Sequence, residues 1–314
     1  MNKVLQLVAL VSLTLSATAR AADKTMIDYF LPMPIHGQLT TNAWGAPGVL
    51  LRDPLNGLED ASLKQWYYWD GSIIHGPDGK YHLFASRWDQ AKGHGGWWSS
   101  RAVQAVSDDP TGPYLEKGLL WPDNQDGKGH NVTALTLPDG RYAVVVSETR
   151  PGDVFVATSL DGPWEQFGSI TVADSPNWHA SNESPIFRPD GGFEIIGRAG
   201  EILISTNGIL GPYRIQGSSI YRSIPGLPQY NLEDPVIWYS GGLYHITVNC
   251  WSDRKAFLLT SVDGITGWTN RGLAYDPTKD FLRYTDGTVN HWNKIERPAC
   301  FWKTATSPTL RLQL

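Results

Sequence analysis

The chain has 314 residues, with 26 Lys+Arg against 31 Asp+Glu and a net charge of −5. That balance argues against the clustered basic surface that nucleic-acid binding needs. With 41% hydrophobic and 18% charged residues the chain fills a core and is not a disordered polymer. Gly 32, Pro 21, Trp 14 and Tyr 13 predict many short strands, tight turns and aromatic-rich surfaces.

The chain opens on an address. Lys3 precedes an apolar run from Val4 to Ala17, broken only by Gln6, Ser12, Thr14 and Ser16, and Ala19-Arg20-Ala21 has the small-x-small form of a cleavage site. This predicts a secretory signal peptide over 1–21, cleaved near Ala21 and too short for a stable membrane span. The alternative is an amphipathic first helix. The expectation is a secreted or periplasmic protein, free of the membrane once the signal is removed, with no nucleic-acid partner. Losing Lys3 and Arg20 leaves 24 basic against 31 acidic residues, a charge of −7.

Residues 22–314 then read as one domain built on a repeat. Asp70-Gly-Ser-Ile-Ile-His-Gly-Pro-Asp-Gly-Lys-Tyr81, Asn131 to Tyr142, Asn182 to Phe193 and Glu233 to Tyr244 share a pattern. Each has a polar start, an apolar-rich stretch, an Asp-Gly or Gly-Gly turn and an aromatic. Such turns between strand-like runs mark hairpins, because they need positive φ. A second echo follows each unit: Gly-Pro-Tyr114, Gly-Pro-Trp164, Gly-Pro-Tyr213 and Thr-Gly-Trp268. Hairpin plus third and fourth strand makes a sheet of about 50 residues, and repetition at that period predicts an all-β propeller rather than a β-sandwich. Units begin near 66, 129, 181, 231 and 284. The fifth, from Tyr284 through Glu296-Arg297-Pro298, shows no hairpin signal, so a five-bladed propeller with an unfinished last blade is expected. Residues 28–65 are available as a closing strand.

Inner strands of a propeller line one channel, so their polar starts converge: Asp70, His130-Asn131, Glu183, Glu233-Asp234 and Glu296-Arg297. Gathering carboxylates is electrostatically costly, since like charges raise one another's pKa. Sites that need an acid and a base gather them. Two carboxylates among tryptophans suit glycoside hydrolysis, and Trp69, Trp97, Trp98, Trp178, Trp251 and Trp292 lie near these positions. Two or three of the six are expected at the pocket and the rest in blade packing.

The motifs Trp-Asp70-Gly-Ser-Ile-Ile, Asn-Glu183-Ser-Pro-Ile-Phe and Glu-Asp234-Pro-Val-Ile-Trp, with their turn-aromatic hairpins, resemble the blades of glycoside hydrolase family 43 and its five-bladed relatives over about 66–298. The resemblance implies an inverting hydrolase with Asp70 as base and Glu183 as acid, the two carboxyls about 6.5–9.5 Å apart. The family's tuning Asp has no counterpart at Gly129-His130-Asn131. His130 is therefore assigned to orienting the acid, binding a carboxylate or carrying a proton. Trp69, Asn131, Glu233, Asp234, His94, Trp98 and Arg297 are the candidate substrate-binding residues.

His179 precedes the candidate acid. His291 sits where the related propellers place a His near a central ion, but one His makes no metal site; a structural central cation is left open, and neither metal nor cofactor is assigned. Arg87, Arg198 and Arg297 either grip an acidic sugar or pair with a neighbouring blade's carboxylate. The expected partner is a plant or algal polysaccharide. Two alternatives remain: a uronate-specific lyase of the same fold, with a His abstracting the proton, and a non-catalytic sugar-binding propeller. Cys250 and Cys300 form either one disulfide or two free thiols.

Overall fold

The computed structural model describes residues 24–34, 43–44, 65–287, 289, 295–304 and 307–313, with backbone alone for 43–44 and 301–313. Residues 1–21, expected to be a signal peptide, and His291 and Trp292 lie outside these residues. Among the described residues no helix is long and apolar enough to cross a membrane.

The fold is an all-β propeller. Blade one orders its strands β1-β5-β4-β3-β2, from β1 (Ala43–Trp44), β2 (Trp66–His75), β3 (Tyr81–Asp89), β4 (Arg101–Ser107) and β5 (Tyr114–Leu119). Blade two runs β6 (His130–Thr136), β7 (Tyr142–Ser147), β8 (Asp153–Ala157) and β9 (Glu165–Ser169). Blade three runs β10 (Ser184–Phe187), β11 (Phe193–Ile196), β12 (Ile202–Ser205) and β13 (Arg214–Ile215). Blade four runs β14 (Leu232–Ser240), β15 (Leu243–Cys250), β16 (Lys255–Ser261) and β17 (Thr269–Tyr275). Every pairing within a blade is antiparallel.

The structure corrects the expectation of a fifth blade. Four blades are complete, and the fifth position holds a two-stranded hairpin, β18 (Glu296–Thr304) with β19 (Ser307–Gln313). The sequence hides even this hairpin, because the chain turns between Thr304 and Ser307 without an Asp-Gly or Gly-Gly signal. The ring is nonetheless closed. The inner strand β2 lies against β6 and β18, β10 against β6 and β14, and β14 against β18. The five enclose an axial channel of about 720 Å³, lined by 71–75, 132–136, 184–189, 235–239 and 297–300.

The described part of 28–65 does not add an inner strand. Met33 bridges to Tyr284, while β1 pairs with β5 at the outer edge of blade one. Met26, Ile27 and Phe30 pack on a cluster containing Tyr275, Phe281 and Ile295. Both cysteines are free.

The repeat aromatics are corner pieces, buried where the fourth strand begins: Tyr114 and Tyr213 completely, Trp164 and Trp268 nearly so. The two tyrosines also donate four residues back, to Pro110 O and Ile209 O, each at 2.9 Å. The tryptophan Nε1 groups find no partner among the described residues. Blades three and four are stitched by Arg188, which pairs with Glu194, lies over the Tyr244 ring and donates to Asp263 O at 3.2 Å. Because the Tyr213 hydroxyl is held in a dry setting, Tyr213→Phe is expected to cost about 1 kcal/mol, seen as a melting temperature lower by about 2–4 °C.

Candidate functional site

The site is built on one backbone device repeated around the axis. Asp70, Asn131, Asn182, Asp234 and Arg297 all have φ between 45 and 52°. For residues with a side chain this left-handed region is uncommon, and it costs free energy unless the surroundings hold it. In four inner strands the register slips here, between Trp69/Ser72, His130/Val132, Glu233/Val236 and Glu296/Ala299. Such a bulge re-aims the side chain. The repeat of left-handed residues places Asn182, not Glu183, at the position equivalent to Asp70. Glu183 stands one residue further along.

The five positions speak to one another. Trp69 Nε1 donates to Asn131 Oδ1 at 3.1 Å, and Asn131 Nδ2 donates to Asn182 Oδ1 at 2.5 Å. Arg297 donates to Asp234 Oδ1 at 3.1 Å and to Asn131 O at 3.5 Å, spanning blades two and four. Asp70 Oδ2 accepts from Ser86 Oγ at 2.8 Å and from Val132 N at 3.2 Å. Asp70 Oδ1 and Glu183 Oε2 are buried and have no partner among the described residues.

Burial sets the electrostatics. Asp70 and Glu183 are each 1% exposed. Loss of water pushes Asp70 up to about 7, against the opposing pull of Arg297, Ser86 and the Val132 N–H. Glu183 is likewise pushed up to about 7, chiefly by burial. Its own backbone N–H and Arg297 pull it down, and the Glu148 charge pushes it up. Arg297 thus acts on both carboxyls. Burial, with Arg297 and His94, holds His130 well below its usual value, so its imidazole is neutral. Ser100 Oγ lies 2.8 Å from Gly129 O and 3.0 Å from His130 Nδ1. The carbonyl can only accept, so the single Ser100 proton goes to it, and Nδ1 must carry its own hydrogen. Nε2 then presents a lone pair.

The segment 90–99 lies over this group. The His94 ring packs edge-on to Trp69 at 5.9 Å, Trp97 stacks on His130 at 4.8 Å, and Trp98, 64% exposed, stacks on Trp97 at 3.9 Å. Trp178 instead joins the core shared by blades two and three, Trp251 is exposed beyond β15, and His179 is exposed.

The three arginines are all ion-paired: Arg87 with Glu116 of its own blade, Arg198 with Glu233 at 2.7 Å and Arg297 with Asp234. The last two are the neighbouring-blade pairs. Carboxylate oxygens of Glu233, Asp234 and Glu296 lie within 4.8 Å of one another, a set that suits a hard cation. Two of these three, Glu233 and Asp234, are also paired with the guanidinium groups of Arg198 and Arg297.

Sequence reasoning missed Ser86, Ser100 and Glu148, whose roles rest on contacts between distant segments. No protein-family model matches the sequence, and no curated protein matches it. Solved structures share the fold. A family 43 β-xylosidase/α-arabinofuranosidase from a compost microbial metagenome aligns with a TM-score of 0.53 at 13% identity, over 80% of this chain and 91% of its own. A family 117 glycoside hydrolase from the marine bacterium Zobellia galactanivorans aligns with a TM-score of 0.53 at 15% identity, over 83% and 80%. A β-xylosidase aligns with a TM-score of 0.51 at 10% identity, over 75% and 83%. The chain therefore has the β-propeller fold of these glycoside hydrolases.

Asp70 holds a proton in the folded state that the unfolded chain releases near its ordinary pKa. Stability therefore falls as pH rises from about 4 to about 7. Asp70→Asn removes this cost: its melting temperature is expected to exceed that of the native chain by about 2–4 °C at about pH 8, with the gap closing near pH 5.

Proposed function

We propose that the chain is an exported glycoside hydrolase acting on a plant or algal polysaccharide by an inverting acid–base mechanism. The observation that carries the reading is a pair of buried carboxyls, Asp70 and Glu183, held beside one guanidinium and both titrating near neutrality. In this reading Asp70, ionised, takes a proton from the attacking water, and Glu183, protonated, delivers one to the leaving oxygen. Asn131 and Asp234 order the ring, while His94, Trp97 and Trp98 form an aromatic cover against which sugar C–H faces stack. Export rests on the signal-like residues 1–21.

The reading sets a pH profile. Activity rises as Asp70 ionises and falls as Glu183 ionises, and both lie at about 7. A narrow bell near neutrality is expected for kcat/KM. Asp70→Asn and Glu183→Gln should each lower turnover by about 10²–10⁴-fold with the fold intact; near-native turnover in either removes that residue from the mechanism. A panel of neutral and acidic plant and algal glycans supplies the substrate.

Access favours a second donor. The Glu233 side chain is 16% exposed and held by half-exposed Arg198, whereas Glu183 is shielded. A variant lacking the donor loses turnover of oligosaccharides but keeps that of aryl glycosides, whose leaving groups need no proton. Comparing Glu183→Gln with Glu233→Gln on both substrates assigns the role.

Neutral His130, with Nε2 free to accept a proton, supports elimination from a uronate as a second reaction. Against it, Arg297 is already committed to Asp234 and Asn131. An absorbance rise from an unsaturated product on a uronate polymer would establish elimination. Binding with no product from any glycan would leave the non-catalytic reading.

A further inference from the structure

One of the connections between adjacent blades stands directly beside Glu183. In blade one the residue after β3 closes on its own blade, Gln90 N to Gln65 O at 3.0 Å. In blade four the residue after β15 does the same, Trp251 N to Asn231 O at 3.1 Å. In blade two the equivalent residue, Glu148, crosses to blade three instead. Its N–H donates to Ala180 O at 3.2 Å. Its carboxylate Oε1 accepts from Ser181 Oγ at 2.6 Å and from Asn182 N at 2.9 Å. Glu148 itself has φ 53°, a left-handed conformation that a glutamate holds only when its surroundings fix it.

The geometry points to Glu148 as the positioning residue for Glu183: from blade two it clamps three consecutive residues, 180, 181 and 182, that lead into Glu183, and so fixes where the Glu183 carboxyl stands. This inference rests on the reading of Glu183 as the proton-bearing carboxyl.

Three hydrogen bonds to consecutive residues, two of them to a charged acceptor, leave that backbone little freedom. They hold Asn182 at φ 45°, the turn that aims the following side chain. The charge has a second effect. Glu183 is faced by two charged groups, Arg297, which favours its ionised form, and Glu148, which favours its protonated form. A carboxylate from blade two therefore acts on Glu183, although none stands at Gly129-His130-Asn131. It arrives from the far end of β7, where the inner-strand motif gives no sign of it.

Two variants separate clamp from charge. Glu148→Gln keeps an acceptor oxygen for Ser181 and Asn182 but removes the charge; Glu148→Ala removes both. The substrate-independent measurement is a ¹³C carboxyl NMR titration of Glu183, assigned with Glu183→Gln. In Glu148→Gln the Glu183 midpoint is expected to fall by about one pH unit, and the alkaline limb of any activity profile with it. In Glu148→Ala kcat on the active glycan is expected to drop at least about 10-fold at every pH with KM little changed. A Glu183 midpoint unmoved in both variants would overturn the inference. If the midpoint moves as expected but Glu183→Gln retains native turnover, the positioning stands and the acid assignment falls. If Glu183→Gln is inactive and the midpoint does not move, the acid assignment stands and the positioning falls.

Discussion

One guanidinium governs the centre of the molecule. Arg297 is 5% exposed and reaches from β18 to Asp234 in blade four and to the Asn131 carbonyl in blade two. Removing a charge from water is expensive unless it is paired and hydrogen-bonded. Arg297 meets that condition, and in doing so makes the burial of Asp70 and Glu183 tolerable. Both carboxyls sit where lost hydration drives them toward the neutral form, and the same cation draws each back. The result is a pair poised near neutrality rather than one fixed as acid or anion.

The fold delivers this arrangement through bulges. A regular inner strand would send alternate side chains to the two opposite faces of its sheet, toward the blades on either side. A left-handed residue at the start of each inner strand breaks that alternation and turns five polar side chains toward one another. Neighbouring inner strands are then joined by side chains as well as by packing: Ala134 N donates to Ser72 Oγ at 2.6 Å, and Ile237 N to Ser184 Oγ at 3.2 Å. These links set the spacing between blades that the carboxyl network requires.

The blades were legible in the sequence because their signals are local. An Asp-Gly or Gly-Gly turn and a Gly-Pro-aromatic corner each report a conformation that a few adjacent residues impose. The repeat already set Asn182 opposite Asp70, but it began blade four at Glu233, whereas the left-handed residue there is Asp234, a one-residue shift that the bulge introduces without altering composition. The fifth hairpin escaped because its turn carries no glycine. Arg198 with Glu233, and Glu148 with Ser181 and Asn182, depend on how separate sheets are set against one another. No stretch of sequence encodes that spacing alone. The free state of Cys250 and Cys300 was likewise a question of distance that their positions in the chain left open.

The ring of left-handed positions has a consequence for how such a molecule diversifies. The backbone there is shaped by the bulge, and this chain already accommodates aspartate, asparagine and arginine at the five sites. Scaffold and chemistry are thereby uncoupled. An exchange of a single axial side chain can recast the reactivity of the cluster while every sheet, corner and seam keeps its shape.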